Sequence, residues 1–480
     1  SDHPLLIAGG PCTCNPEPVA DFFDAIVVGD GEVVMLQMTD AWRGWRRSSG
    51  SKEALLERWS RIKGVYVPSF FDVDQLVDGR QGLIAKRPGY SFVEKALVAD
   101  LDDIPVPARP VIPFGRPVHD RLRVEIARGC TRGCRFCQAG MIYRPVRERR
   151  PQTVLASAMQ VLRETGYEDL SLLSLSTGDY SCIAALIDGI MQAGQASHVS
   201  VSLPSLRAGS LTPELMETIR KVRKTGFTIA PEAGSQRLRN VINKNISETD
   251  IVETVQNAFS WGWKVIKLYF MIGLPTETQS DVEAIVALVK RLTTVSGSDG
   301  RMGRIHVSVA TFVPKPHTPF QWVAQIDLDT ALQKMRWLKA NLNIKNVQFK
   351  WQDPRVSRIE GVWSRGDRRL STVLTEAWRA GCRFDGWTDF FDYDRWMAVF
   401  DACGIDPDRF QPDPFDRRGP LPWDHIRLGV DRAYLIQEYE RALQGRTTDD
   451  CRTGNCSGCG VCDFETVKPV THTDHGIDAQ

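Results

Sequence analysis

The chain has 480 residues, 60 Lys and Arg against 59 Asp and Glu, a net charge of +1, and 42% hydrophobic residues. This length suits about two to three domains, and the balanced charge excludes a global field for nucleic acid, so such binding would rest on local patches. No basic-then-apolar leader pattern or membrane-length apolar run is visible, and twelve cysteines, seven of them in two tight groups, point to metal binding in a cytoplasmic protein without a membrane partner.

Leu5-Leu6-Ile7-Ala8-Gly9-Gly10-Pro11 reads as a short buried strand ending in a glycine turn. Asn15-Pro16-Glu17-Pro18 can start a helix, and Asp24 to Val28 is a second strand closing in Gly29-Asp30-Gly31-Glu32. Strand, helix and strand in thirty residues make half of a doubly wound α/β unit. The chain opens on Ser-Asp-His without an initiator methionine and its first strand pattern arrives at once, so further domain material upstream is expected. Cys12 and Cys14 read as turn residues. Residues 51–118 predict an amphipathic helix around Glu53 to Ile62. A passage rich in prolines (Pro105, Pro107, Pro110, Pro113, Pro117) follows, an ordered linker wrapping the next domain.

From 121 to about 320 the patterns alternate as in a parallel β/α barrel. Strands are predicted near 123–128, 170–176, 199–204, 227–232, 264–273 and 305–313, with helices at 152–165, 181–193, 212–224, 247–261 and 278–292. Directly behind the first strand stands Cys130-Thr131-Arg132-Gly133-Cys134-Arg135-Phe136-Cys137. Three soft ligands on one tight loop suit a metal centre. Three ordinary thiols, or a zinc loop with a distant fourth ligand, are the alternatives. A four-iron cluster held by three cysteines keeps one iron free of protein ligand, a position that the amino and carboxylate groups of S-adenosylmethionine (SAM) can chelate.

The CxxxCxxC spacing, with Phe136 before the last cysteine, resembles the signature of the radical SAM superfamily. The resemblance implies an open, partial (β/α)6 barrel over 119–325 with its active groups at the C-terminal ends of the strands. It implies a [4Fe–4S] cluster on Cys130, Cys134 and Cys137, with bound SAM. Residues 1–50 resemble the last part of the cobalamin-binding-like domain preceding many such cores. The motif that would set a histidine on cobalt is absent, His3 is not such a ligand, and no residue is assigned to cobalamin. By position, Gly178 and Asp179 stand where relatives carry Gly-Gly-Glu to receive the methionyl amino group. Ser202, Ser205 and Arg207 are placed to reach ribose or carboxylate, with helix capping as the alternative for a serine. Glu232 is expected on ribose hydroxyls. Gly273 is expected to admit the adenine, and Glu277 either to complete that motif or to stabilise a helix start. Val313 to Phe320 resembles a stretch of radical SAM methylthiotransferases, in which His317 closes the barrel edge structurally. Ser364 to Arg369, Phe384-Asp385-Gly386-Trp387 and Leu421 to Ile426 resemble an uncharacterised bacterial radical SAM family with a cobalamin-binding-like domain in front.

Residues 326–445 read as mostly helical: 328–342, 371–380, 393–403 and 432–443. Seven of thirteen tryptophans fall between Trp337 and Trp423 among arginines. Such a mixture packs a core or stacks bases. The run Arg144, Arg147, Arg149, Arg150 is either a solvated or ion-paired face or an RNA contact. The tail, 446–480, carries Cys451, Cys456, Cys459 and Cys462 at spacing x4, x2, x2. This is closer to ferredoxin-type ligation than to a zinc ribbon, so a second [4Fe–4S] cluster is expected, with zinc, helped by His472 or His475, as the alternative. Cys182, Cys382 and Cys403 read as buried apolar residues.

The resulting expectation is a radical SAM enzyme that makes a 5′-deoxyadenosyl radical and methylates or methylthiolates a macromolecule, RNA first. A donor such as flavodoxin or ferredoxin would supply the electron. The alternative is a non-catalytic SAM- or RNA-binding platform with a structural or redox-sensing metal tail.

Overall fold

The computed structural model describes residues 4–48, 50–75, 81–115, 117–194, 199–202, 207, 227–297, 300, 302–411, 417 and 419–473. Seven parallel strands form the centre: β1 (Leu122–Glu125), β2 (Asp169–Leu173), β3 (Ser200–Ser202), β4 (Phe227–Glu232), β5 (Val265–Ile272), β6 (Arg304–Thr311) and β7 (Val347–Trp351). They hydrogen-bond in the orders β3-β2-β1 and β4-β5-β6-β7. Strand β7 lies beyond the six expected. Its alternation Val347-Gln-Phe349-Lys-Trp351 fits the pleat, and it extends the sheet into a region read as helical.

Period-two alternation sorts the strand faces. Val124, Leu170, Leu172, Ile229, Ile266, Leu268, Ile305 and Val307 are buried in one apolar core. On the opposite face Arg123, Lys267 and Tyr269 remain exposed. The helices Pro151–Thr165, Ile183–Gly194, Glu248–Ser260, Gln279–Thr293 and Leu328–Asn341 supply Val154, Leu186, Val255, Ile285 and Met335 to this core. All five lie within two residues of their expected limits. The expected helix 212–224 lies outside the described residues.

In the N-terminal part Ile7–Ala8 pairs parallel with Ala25–Val27. Val65–Tyr66 joins antiparallel, so the third strand departs from a doubly wound pattern. A helix over Gly31–Ser48, unmarked in the sequence reading, precedes the expected one at Lys52–Ser60. Phe71–Gln75 and Gln81–Ala85 form an antiparallel hairpin within the stretch read as a linker. The core of this part also takes in Ile142 of the barrel and Ile426 and Leu428. Further helices include Pro354–Arg365, Leu370–Arg379, Tyr393–Ala402 and Arg432–Leu443. No described helix is long and apolar enough to cross a membrane.

Candidate metal centre and cofactor site

The chain leaves β1 through Ala127–Arg128, which pairs antiparallel with Arg147–Glu148, and turns at Gly129. There φ is +89°, and a Cβ would stand 2.5 Å from the Pro145 carbonyl oxygen, so only glycine fits. The loop then carries Cys130, Cys134 and Cys137, all half-buried. Arg135 is fully buried beneath them. It donates to Glu438 (3.0 Å), the Val241 carbonyl (2.9 Å) and the Arg446 carbonyl (2.8 Å). The Asn243 side-chain amide donates to the Gly133 and Thr448 carbonyls, both at 3.1 Å. The loop is thus held from below by buried, satisfied polar groups.

Around the sulfurs the donors fit thiolate. The Gly140 N–H points at Cys137 Sγ (3.3 Å), and Arg207 Nη1 lies 3.9 Å from Cys134 Sγ. Burial pushes the Cys130 thiol up to about 12 and the Cys137 thiol to about 11, and neighbouring thiols add to both shifts. A bare thiolate is therefore costly here, and a bound cation supplies the compensation.

The expected SAM residues divide. Glu232, at the end of β4, has φ +66° and accepts from Lys244 Nζ at 3.2 Å. The same ammonium stands 5.8 Å over the Phe136 ring, so Phe136, Lys244 and Glu232 gather beside Cys137. Gly178 lies in a short 3-10 turn, Thr177–Asp179, after β2. Asp179 there is already paired: Arg132 Nε donates to it at 2.8 Å, Ser176 Oγ at 2.6 Å, and Arg452 lies 3.5 Å away. Burial opposes its charge, but Arg132, Ser176 and Arg452 hold its carboxyl below the usual range. Gly273 has φ +79°, and a Cβ there would meet Ile326 at 2.6 Å, so its missing side chain makes room for Ile326. Glu277 does not start the helix: Thr278 and Asp281 form the capping box. Glu277 turns inward, where it accepts from the Gly273 N–H (3.0 Å) and pairs with Lys334 at 2.6 Å. Ser205 and the side chain of Ser202 lie outside the described residues.

The model for radical SAM proteins, N-terminal, matches residues 1–68, and that for the radical SAM superfamily matches 124–289. A protein of Methanocaldococcus jannaschii is 32% identical over 375 residues, 77% of this chain and 73% of its own. The chain belongs to the radical SAM superfamily. Among further relatives, the ribosomal protein uS12 methylthiotransferase RimO of Thermoanaerobacter sp. is 24% identical over 35% of this chain and 40% of its own. The tRNA-2-methylthio-N(6)-dimethylallyladenosine synthase of Petrotoga mobilis is 22% identical over 50% of this chain and 54% of its own. This chain thus spans about half the length of those two relatives.

Membership implies the [4Fe–4S] cluster and SAM, and the three-cysteine loop of this radical SAM protein fits the cluster. The tail lies against that loop: Asp450 stands 3.3 Å from Arg132, and the Thr448 N–H donates to Asn243 at 2.9 Å. Burial, with Cys459, Cys451 and Cys456 adding to it, pushes the Cys462 thiol up to about 11. Among the described residues no three of His, Cys, Asp and Glu are gathered as a single-ion site. Cluster ligands bind different irons and need no common point. The His472 ring is bonded to the Glu148 carbonyl (3.1 Å), and His475 lies outside the described residues.

The arginine run is internal. Arg147 binds Asp30 (2.6 Å) and the Val98 carbonyl (2.6 Å), Arg149 binds the Ile104 carbonyl (2.8 Å), and Arg144 is buried; Arg150 alone of the four is exposed. His317 bonds the Cys14 carbonyl at 2.8 Å, as a structural residue would. Cys14, Cys182 and Cys382 are buried, Cys403 is half-buried and Cys12 is exposed. Arg132, Arg135, Asn243 and Lys244 were missed as site residues, because their partners are remote in sequence.

Proposed function

We propose that this radical SAM enzyme reductively cleaves SAM at a [4Fe–4S] cluster on Cys130, Cys134 and Cys137 and methylates or methylthiolates a macromolecule, RNA first. One observation carries this: three thiols on a glycine-hinged loop at the C-terminal end of β1, with an N–H donor aimed at sulfur. Held by these three thiolates, a [4Fe–4S] cluster would supply the one electron needed to cleave SAM to methionine and a hydrogen-abstracting 5′-deoxyadenosyl radical. The electron comes from a donor such as flavodoxin or ferredoxin. Glu232 and Phe136 hold the nucleoside side of SAM, with Lys244 orienting both. Gly178 lets the backbone approach the methionyl side, and Arg207 binds its carboxylate. Asp179 holds Arg132 and Arg452 and so keeps the cluster loop in place.

Cys451, Cys456, Cys459 and Cys462 hold a second [4Fe–4S] cluster, a reading supported by four thiols at x4, x2, x2 spacing within twelve residues.

RNA is favoured by an exposed aromatic surface. Trp378, Phe384, Trp387 and Phe390 are each about 60–70% exposed, and Arg383 lies 5.5 Å over Trp378. Bases stack on such faces. Trp396 and Trp423, in contrast, are buried and pack. A protein substrate is the second reading, because Glu376 and Asp392 pair with Arg379 and Arg395 on the same surface and occupy two cations that phosphates would need.

Modified nucleosides in total RNA from a deletion strain and its parent, compared by mass spectrometry, test the substrate. One nucleoside should vanish, and return with the wild-type gene but not with Cys134→Ala. An unchanged profile would transfer the proposal to protein. If purified Cys134→Ala still formed 5′-deoxyadenosine, catalysis by this loop would be excluded.

A further inference from the structure

The helices packed on the sheet β4-β5-β6-β7 meet the face that holds Ile229, Leu268, Val307 and Phe349. The alternate residues point the other way. On β5 these include Lys267 and Tyr269, on β6 Arg304, His306 and Ser308, and on β7 Lys350. Lys267, Tyr269, Arg304 and Lys350 are exposed, and His306 and Ser308 are half-buried.

Register sets these side chains side by side. Lys267 lies opposite His306, and Ser308 lies between Tyr269 on one side and Lys350 on the other. Neighbouring strands are about 4.8 Å apart and each residue rises about 3.3 Å, so Arg304, Lys267, His306 and Lys350 fall within roughly 15 Å. Like charges on adjacent strands repel and cost stability unless something of opposite charge lies among them. On this face of the four strands the one acid is Glu232, and Lys244 pairs with it at 3.2 Å. Among the described residues the side chains of Lys267, Arg304 and Lys350 have no hydrogen-bond or ion-pair partner. Burial, with Arg304, Lys267 and Lys350 adding to it, holds His306 below its ordinary value.

Uncompensated cations beside an accessible aromatic ring are what a single-stranded nucleic acid requires: the charges follow its backbone and the ring takes a base. An acidic peptide would engage the cations and leave Tyr269 unused. The patch also lies within reach of the barrel mouth. Glu232, at the end of β4, is in register with Phe270, three residues along β5 from Lys267 and so roughly 10 Å from it.

We infer that this open face of the sheet, through Lys267, Arg304, Lys350 and Tyr269, is the groove that holds single-stranded RNA while one of its nucleotides reaches the mouth. This rests on the RNA reading proposed above. Phosphates lie along the three cations, and one base stacks on Tyr269.

The test titrates the anaerobically purified full chain onto a fluorescein-labelled oligouridylate of about 12 nucleotides and follows anisotropy across a salt series. Each phosphate contact adds about 0.7 to the slope of log affinity against log salt. Lys267→Gln/Lys350→Gln should therefore flatten the slope by about 1.4 and weaken binding at least about tenfold near 0.1 M salt. Arg43→Gln/Arg47→Gln removes the same charge from exposed positions of the Gly31–Ser48 helix and should change neither quantity. Tyr269→Ala should weaken binding about five- to a hundredfold with the slope unaltered, since it removes stacking and no charge. Wild-type slope and affinity in Lys267→Gln/Lys350→Gln would overturn the groove and leave RNA as the substrate. No binding of the oligouridylate by the wild type at low salt would remove RNA and the groove together. Polyglutamate bound as tightly as RNA by the wild type, and released in that variant, would overturn the RNA assignment and give the face to an acidic protein. Should the charge variant fold poorly, the wild type decides. RNA carrying 4-thiouridine should crosslink to β5 at Tyr269, and crosslinks confined to the surface around Trp378 and Trp387 would refute the groove.

Discussion

Gly129 shows how one backbone position governs the cluster loop. An alanine there would need φ near +89° and a Cβ 2.5 Å from the Pro145 oxygen. Such strain costs about 1–3 kcal/mol or forces the loop to move. Gly129→Ala is therefore expected to lose iron from the first cluster and to melt earlier, whereas Gly115→Ala, in open space, should do neither. Iron analysis and thermal melts of both variants check this. The three cysteines were legible in the sequence because their spacing is local. The partners of Asp179 and Glu277 were not. Arg452 lies 273 residues from Asp179, and no periodicity announces that a carboxylate expected at a ligand is spent on an arginine.

Among the elements, the helix and strand patterns carried most of the barrel, since burial on one face dictates alternation in a strand and a stripe on a helix. Missing were, among others, the Pro354–Arg365 helix, β7 and the Gly31–Ser48 helix. The last exposes Val33, Met35 and Leu36, so its apolar residues do not lie in one clean stripe. Elements also meet through buried ions. Glu17, on the 3-10 helix Glu17–Phe22, accepts from Tyr66 (2.6 Å) and Arg368 (2.9 Å) and stands 3.2 Å from His425. Burial works against its charge, but His425, Arg368 and Tyr66 outweigh it and hold its carboxyl below the usual range. Removing one partner of such a buried set costs about 3–5 kcal/mol. Glu17→Gln should accordingly lower the urea midpoint by that equivalent; a loss below about 1 kcal/mol would mean that the set is not closed in solution.

Across the whole molecule the N-terminal part, barrel and tail are stitched by contacts with pH consequences. Burial, aided by His425 and Lys95, lowers the His317 pKa from 6.5 to about 4. Between those values the unfolded chain binds a proton that the folded chain refuses, so stability falls as pH drops from 6.5 towards 4. Urea midpoints across that window should decline, and His317→Gln should flatten the decline; an equal slope in the variant would remove His317 as its source. By itself the sequence determined what is local: the thiol spacings, the strand and helix periods, and hence the radical SAM barrel with its cluster loop. Only the tertiary structure decided which charges meet. It buried the Arg144–Arg149 run inside the protein, turned Glu277 onto Lys334, and set Arg135 against Glu438, 303 residues away. The reason is physical. Propensity and periodicity are read within a turn or a pleat, whereas a buried ion is stable only beside a partner that the fold, and not the neighbouring sequence, brings to it.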